Sequence, residues 1–219
     1  MMKRTALVLG ASGLVGQEIV QVLLDSAHYS SVTALVRRPL ECKHEKLQQQ
    51  IIDFHTLEQY GNFFHVDDVF SCLGTTIKKA KTKENFIKVD YEYTIRAAKL
   101  AEQQGAQNFL VISSMGASQK SKFFYSRVKG EMEEDIKSLS IRGIHIFRPS
   151  LLLGEREEFR FGEKFAEQVA RILPILFKGP FRKYAPITAK QVAKGMYEVA
   201  LANETGIHIY ESHTIHESK

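Results

Sequence analysis

Tyr125 and Lys129 stand four residues apart in Tyr125-Ser-Arg-Val-Lys129, the separation that puts two side chains on one face of a helix. An ammonium one turn from a phenol favours the phenolate, which helps a tyrosine give its proton to a reacting carbonyl oxygen. Upstream, the apolar run Val111-Ile112 ends in Ser113-Ser114. A serine hydroxyl at the C-terminal end of a strand can hold and polarise that oxygen. Ser114, the last residue before the chain turns out, is the candidate for this role. Ser114, Tyr125 and Lys129 thus form an expected catalytic set for carbonyl reduction. Such a reaction also needs a hydride donor, and the start of the chain carries the signature of a site for one.

There, Thr5–Leu9 runs directly into Gly10-Ala-Ser-Gly13-Leu-Val-Gly16 and then into an amphipathic stretch. Glycines in such a turn allow a tight strand-to-helix connection, close approach of backbone to a pyrophosphate and close helix–sheet packing. The helix N-terminus adds unpaired N–H groups and partial positive charge. The spacing is GxxGxxG rather than the more familiar GxGxxG, but its context of first strand and first helix is the confirming one. Gly10, Ser12, Gly13, Leu14, Val15 and Gly16 are the expected phosphate contacts. After the second predicted strand come Arg37 and Arg38, where an NAD-selecting protein usually places an acid for the ribose 2′-hydroxyl. Two guanidinium groups suit a 2′-phosphate, so the expected cofactor is NADPH, with NAD the poorer fit. Asp53, ending the third predicted strand, is a candidate acceptor for the adenine amino group.

Positioning these groups requires a parallel α/β sheet. Apolar runs predict strands at Thr5–Leu9, Ser31–Val36, Gln50–Asp53, Asp68–Leu73, Asn108–Ser113 and Gly143–Arg148. Helical spacing links Val15, Ile19, Val22 and Leu23, then Phe86, Val89, Tyr93, Ala97 and Leu100, then Tyr125, Val128, Met132, Ile136 and Leu139. The alternation predicts a doubly wound Rossmann fold: one domain over 1–219, with a dinucleotide-binding core at 1–150 and a small substrate-side subregion at 151–219. In that subregion a helix is expected from about Lys190 to Ala202 and a strand at Ile207–Tyr210. The stripe Phe165, Val169, Ile172, Leu173 and Leu176, interrupted by Pro174, reads as a segment packed on the domain, a lid over the substrate or a membrane-contacting helix.

The glycines with Ser114, Tyr125 and Lys129 resemble the marks of short-chain dehydrogenase/reductases. Arg148-Pro149-Ser150-Leu-Leu-Leu-Gly154 resembles a segment of the extended and atypical branches. More narrowly, Cys72-Leu73-Gly74-Thr75-Thr76, Val89-Asp90, Ser113-Ser114-Met115-Gly116-Ala117 and Tyr125 to Glu131 resemble the atypical group of Tat-interacting, NADPH-binding oxidoreductase-like proteins. The likeness extends from about residue 5 to 202. It implies that Leu73, Gly74, Thr75 and Ser113 lie beside the cofactor, that Lys129 also binds the nicotinamide ribose, and that Arg148, Pro149, Ser150 and Leu152 approach the nicotinamide. Extended members carry a larger substrate domain after this point, which sets sugar-nucleotide chemistry in doubt here. The resemblance implies an NADPH-dependent oxidoreductase acting on a small carbonyl compound. It leaves open a non-catalytic regulator that senses NADPH or contacts a protein partner, and an epimerase or dehydratase using the same tyrosine.

The composition suits a soluble globular chain: 219 residues, 44% hydrophobic and 25% charged. No stretch is long enough for a membrane span, and two cysteines, Cys42 and Cys72, do not build a disulfide scaffold, so the expectation is a cytoplasmic protein. A net charge of +5 is too mild to point to nucleic acid. The one dense basic run, Ile77-Lys78-Lys79-Ala80-Lys81-Thr82-Lys83, reads as a solvated loop or as a patch for an anionic ligand. The eight histidines are scattered, His213 and His216 falling in a polar tail, and no metal site is expected.

Overall fold

The computed structural model describes residues 3–153 and 185–215. Gly154, His216 and the stripe from Phe165 to Leu176 lie outside the described residues. Strand β1 (Arg4–Leu9) sends Leu7 and Leu9 into one core and Ala6 and Val8 into the other. A strand apolar on both faces must be covered on both, and β1 lies mid-sheet between β2 (Tyr29–Val36) and β4 (Asp68–Ser71). With β3 (Leu47–Ile51), β5 (Asn108–Ile112), β6 (Gly143–Arg148) and β9 (Gly206–Glu211) they form a seven-stranded parallel sheet, ordered β3-β2-β1-β4-β5-β6-β9. A separate two-residue ladder joins β7 (Leu152–Leu153) to β8 (Ile187–Thr188).

Helices α1 (Leu14–Asp25) and α6 (Ala189–Ala202) cover one face, packing Ile19 and Leu23 with Val192 and Met196. A 3-10 helix (Phe54–Phe64), α4 (Tyr93–Gln103) and α5 (Phe124–Lys137) cover the other, through Leu57, Ala97, Met132 and Ile136. This is the doubly wound Rossmann arrangement that the alternation predicts. Strand order reverses between β1 and β4, so their C-terminal ends open into a crevice, the place where such folds bind ligands.

Two elements differ from the sequence reading. The third strand forms at Leu47–Ile51 rather than Gln50–Asp53. It is an edge strand, and its glutamines stay half-buried or exposed instead of entering a core. Gln49 is used locally, accepting from Leu40 N at 2.8 Å and donating to Cys42 O at 2.9 Å. The second difference is in the helix between β4 and β5. Short α2 (Ile77–Ala80) and α3 (Lys83–Ile87) precede a π-helical turn at Lys88–Glu92 that leads into α4. The widened turn breaks the regular helical spacing: Asp90 becomes buried while Val89 is only half-buried.

Candidate active site

The glycine turn is built by steric necessity at two positions. Gly10 has φ +76°, and a Cβ there would lie 2.4 Å from Cys72 O at the end of β4. A Cβ on Gly16 would lie 2.1 Å from Gly10 O, so α1 seats directly on the turn. Gly13 is the N-cap of α1 with φ −81°, and no side chain caps this helix. Gly13 O accepts from Gln17 N at 2.9 Å, which leaves the N–H groups of Leu14, Val15 and Gly16 without intrahelical acceptors. Ser12 is exposed beside them, and Gly13 and Leu14 are partly open. A backbone cradle closed to any side chain and an uncapped helix N-terminus fit a pyrophosphate.

Arg37 and Arg38 follow β2, both exposed, and neither forms an ion pair among the described residues. Asp53 is exposed and its carboxylate accepts from His55 N at 2.9 Å, capping the 3-10 helix. Tyr93 stands nearby: burial and then the Asp53 carboxylate push its phenol up, while Arg96 and Arg37 pull it down. Arg37, Asp53 and Tyr93 therefore share one end of the crevice.

At the other end the side chains converge. Lys129 is almost wholly buried in α5, and its Nζ lies 2.9 Å from Oδ1 of the equally buried Asp90. The second oxygen of Asp90 accepts from Thr75 N at 2.8 Å, so one carboxylate joins the loop after β4 to α5. Lys129 also donates to Ile112 O at 3.4 Å, at the end of β5. Ser114 is two residues further on, and its buried hydroxyl makes no hydrogen bond among the described residues. Tyr125 is 37% exposed at the start of α5, with its ring against Phe86 at a centroid distance of 5.4 Å. Leu73 is buried and Gly74 exposed beside this cluster. Burial pushes the Cys72 thiol up to about 12, so it stays protonated near neutrality and is no nucleophile.

Ser113 and Arg148 have other partners. Ser113 donates to Oε1 of the buried Glu133, and Arg148 Nε donates to the same oxygen at 3.0 Å. Arg148 also reaches Glu211 at 3.3 Å, so its guanidinium ties α5 and the end of β9 to β6. Pro149 O accepts from Met115 N at 3.0 Å. Ser150 bonds Ser212 Oγ and Ala185 O, and Leu152 pairs with Ile187. Asp90 and Glu133 were not among the sequence candidates. The one available signal was chemical: a lysine expected inside a helical face needs a buried carboxylate partner, though nothing in the spacing says which.

A parallel sheet with this strand order and this glycine turn defines a Rossmann-type dinucleotide-binding protein. The chain belongs to the NAD(P)H-binding family, whose model matches residues 10–153, within the atypical short-chain dehydrogenase/reductases. It is 37% identical over 178 residues to Protein HTATIP2 of Rattus norvegicus, covering 80% of this chain and 73% of that protein. It is 34% identical over 206 residues to Protein FMP52, mitochondrial, of Debaryomyces hansenii, covering 91% of this chain and 88% of that protein. Among solved structures, MoeE5 in complex with UDP-glucose and NAD aligns with a TM-score of 0.70 over 94% of this chain and 74% of that one. At 16% identity that likeness speaks for the fold alone.

The family match supports a nicotinamide dinucleotide as the cofactor class, and the relatives an oxidoreductase-like fold. The relatives also correct the expectation of a cytoplasmic protein, since the FMP52 proteins are named as mitochondrial. A globular composition with free thiols suits either compartment and does not separate them. Among the described residues no helix is long and apolar enough to cross a membrane, and no group of three or more His, Cys, Asp or Glu side chains is placed to hold a metal.

Proposed function

We propose that the chain is an NADPH-dependent reductase of small carbonyl compounds, with Tyr125 as proton donor. The observation that carries this reading is the Ser114 hydroxyl, buried at the end of β5 and without a hydrogen-bond partner. Such a group costs free energy in the folded chain and is relieved when a substrate oxygen accepts from it. Bound nicotinamide supplies the hydride for the carbonyl carbon. Ser114 orients the carbonyl oxygen, and Tyr125, partly open to the crevice, gives that oxygen its proton. Lys129, one turn along α5, stabilises the phenolate left behind and is available to the nicotinamide ribose. Asp90 fixes the Lys129 ammonium and is itself fixed by Thr75 N–H. Arg37 and Arg38 hold the 2′-phosphate that distinguishes NADPH from NADH.

The test is steady-state NADPH oxidation over a panel of aldehydes and ketones, with cofactor titration in parallel. Tyr125→Phe keeps the ring against Phe86, so NADPH affinity should hold while turnover falls by about 10²-fold or more. Full activity in this variant overturns the assignment of Tyr125. A dinucleotide sensor without chemistry would reduce none of the panel and bind NADPH equally well in both forms.

A further inference from the structure

We infer that the substrate of this site is an anionic carbonyl compound with an apolar body, its charge held by lysines at the mouth of the crevice. This rests on the reductase reading above. Strands β4 and β5 are paired, Ser71 beside Val111, so the segments that follow them emerge side by side. The first carries Lys78, Lys81 and Lys83, the second Lys120 and Lys122. All five are exposed, and none forms an ion pair among the described residues. Cations closer to the chemistry are neutralised: Lys129 by Asp90, Arg148 by Glu133. Across 74–89 and 113–130 the sole carboxylate is Glu84. It is engaged locally at the start of α3, where hydrogen bonds from its own backbone and Thr82 hold it below the usual carboxylate range. Along these two segments positive charge therefore outweighs negative, Glu84 offsetting part of it at Lys83.

One of these lysines, Lys83, joins the ring cluster that includes the proposed proton donor. Lys83 Nζ is 5.4 Å from the centroid of the Phe124 ring. Phe124 packs on Phe86 at 5.6 Å, and Phe86 on Tyr125 at 5.4 Å. The segments after β4 and β5 also expose large apolar side chains, Ile77 at 46% and Phe123 at 77%, and the segment after the neighbouring β6 exposes Leu151 at 60%. Exposed apolar surface of this kind beside unpaired ammonium groups matches a ligand with an apolar chain and an anionic end. Placed around Tyr125 and Ser114, it would raise the local concentration of such a compound at the reacting groups. Lys78, Lys81 and Lys83 of the basic run that the sequence singles out thereby gain a role that merely solvated side chains do not have.

An aliphatic aldehyde bearing a terminal carboxylate is compared with its methyl ester of equal length. The carboxylate should show a KM lower by about tenfold at low ionic strength, at similar kcat, and the gap should close as salt is added. The triple variant K83Q/K120Q/K122Q should bring the carboxylate-to-ester preference toward unity, with NADPH titration reporting that the fold is intact. A second measurement needs no turnover: NADP⁺-loaded protein is titrated with a fatty-acid carboxylate and with its methyl ester. Equal KM values and equal binding of acid and ester overturn the inference and leave the reductase reading standing. Selective binding of the acid with no carbonyl reduced overturns the reductase reading and supports the anion site. Co-sedimentation with phosphatidylglycerol vesicles, without binding of the monomeric acid, overturns the substrate class in favour of a membrane surface.

Discussion

Arg37 and Arg38 concentrate cofactor choice in two side chains. Both are exposed at the end of β2, and among the described residues neither has an ion-pair partner to lose on meeting a phosphate. Charge-assisted bonds to a 2′-phosphate should therefore make NADPH bind more tightly than NADH by roughly 1–3 kcal/mol. Replacing both arginines with alanine should erase most of that difference, read by fluorescence titration of each dinucleotide. Equal affinities in the unmodified protein would refute the preference. At this scale the sequence was informative wherever chemistry is local: Tyr125 and Lys129 share a helix face because they are one turn apart. Asp90 was hidden because its partner is on a distant element, and a buried ion pair between elements leaves no periodic trace. Arg148 shows the converse, since resemblance brought its segment toward the nicotinamide while Glu133 and Glu211 engage its guanidinium.

At the scale of elements, the strands that were legible are those buried on both faces, because continuous apolar runs have one physical explanation there. The edge strand β3 was shifted in the sequence reading because glutamines facing water carry no such signal. The π-helical turn was invisible for a related reason: its residues fit ordinary helical spacing well enough until Asp90 must reach Lys129. The first turn of the fold allows a sharper distinction between glycines. Gly10 has φ +76° and no room for a Cβ, so Gly10→Val should destabilise the domain as well as abolish binding. Gly13 has φ −81°, which any residue adopts, so backbone strain does not demand a glycine there. Gly13→Val should fold with a near-normal urea midpoint and fail to bind NADPH. Normal NADPH binding by the folded variant would mean that the pyrophosphate lies elsewhere.

Across the whole molecule, one buried carboxylate organises the end of the sheet opposite the crevice. Asp68, at the start of β4, receives Arg4 Nε and Arg4 Nη2 at 2.6 Å each, Tyr29 Oη at 2.6 Å and Asn108 Nδ2 at 2.8 Å. Asn108 Nδ2 also reaches Asn203 Oδ1 at 3.1 Å, and Asn203 ends α6 in the left-handed conformation. Strands β1, β2, β4 and β5 thus meet at a single anion, and Asn108 links it to the end of α6. Burial, reinforced by Asp68, pushes the Tyr29 phenol far above its usual range, so it serves only as a donor. Asp68→Ala leaves the Tyr29 phenol without its acceptor, and the Arg4 guanidinium and the Asn108 amide with Asn203 Oδ1 between them. The expected loss is about 3–5 kcal/mol of unfolding free energy, read as a lower urea midpoint at unchanged slope. Because the network lies at the N-terminal ends of the strands, NADPH affinity of the remaining folded protein should not change. A loss below about 1 kcal/mol would show that water replaces the carboxylate at little cost. Weakened NADPH binding at full stability would instead show that the two ends of the sheet are coupled.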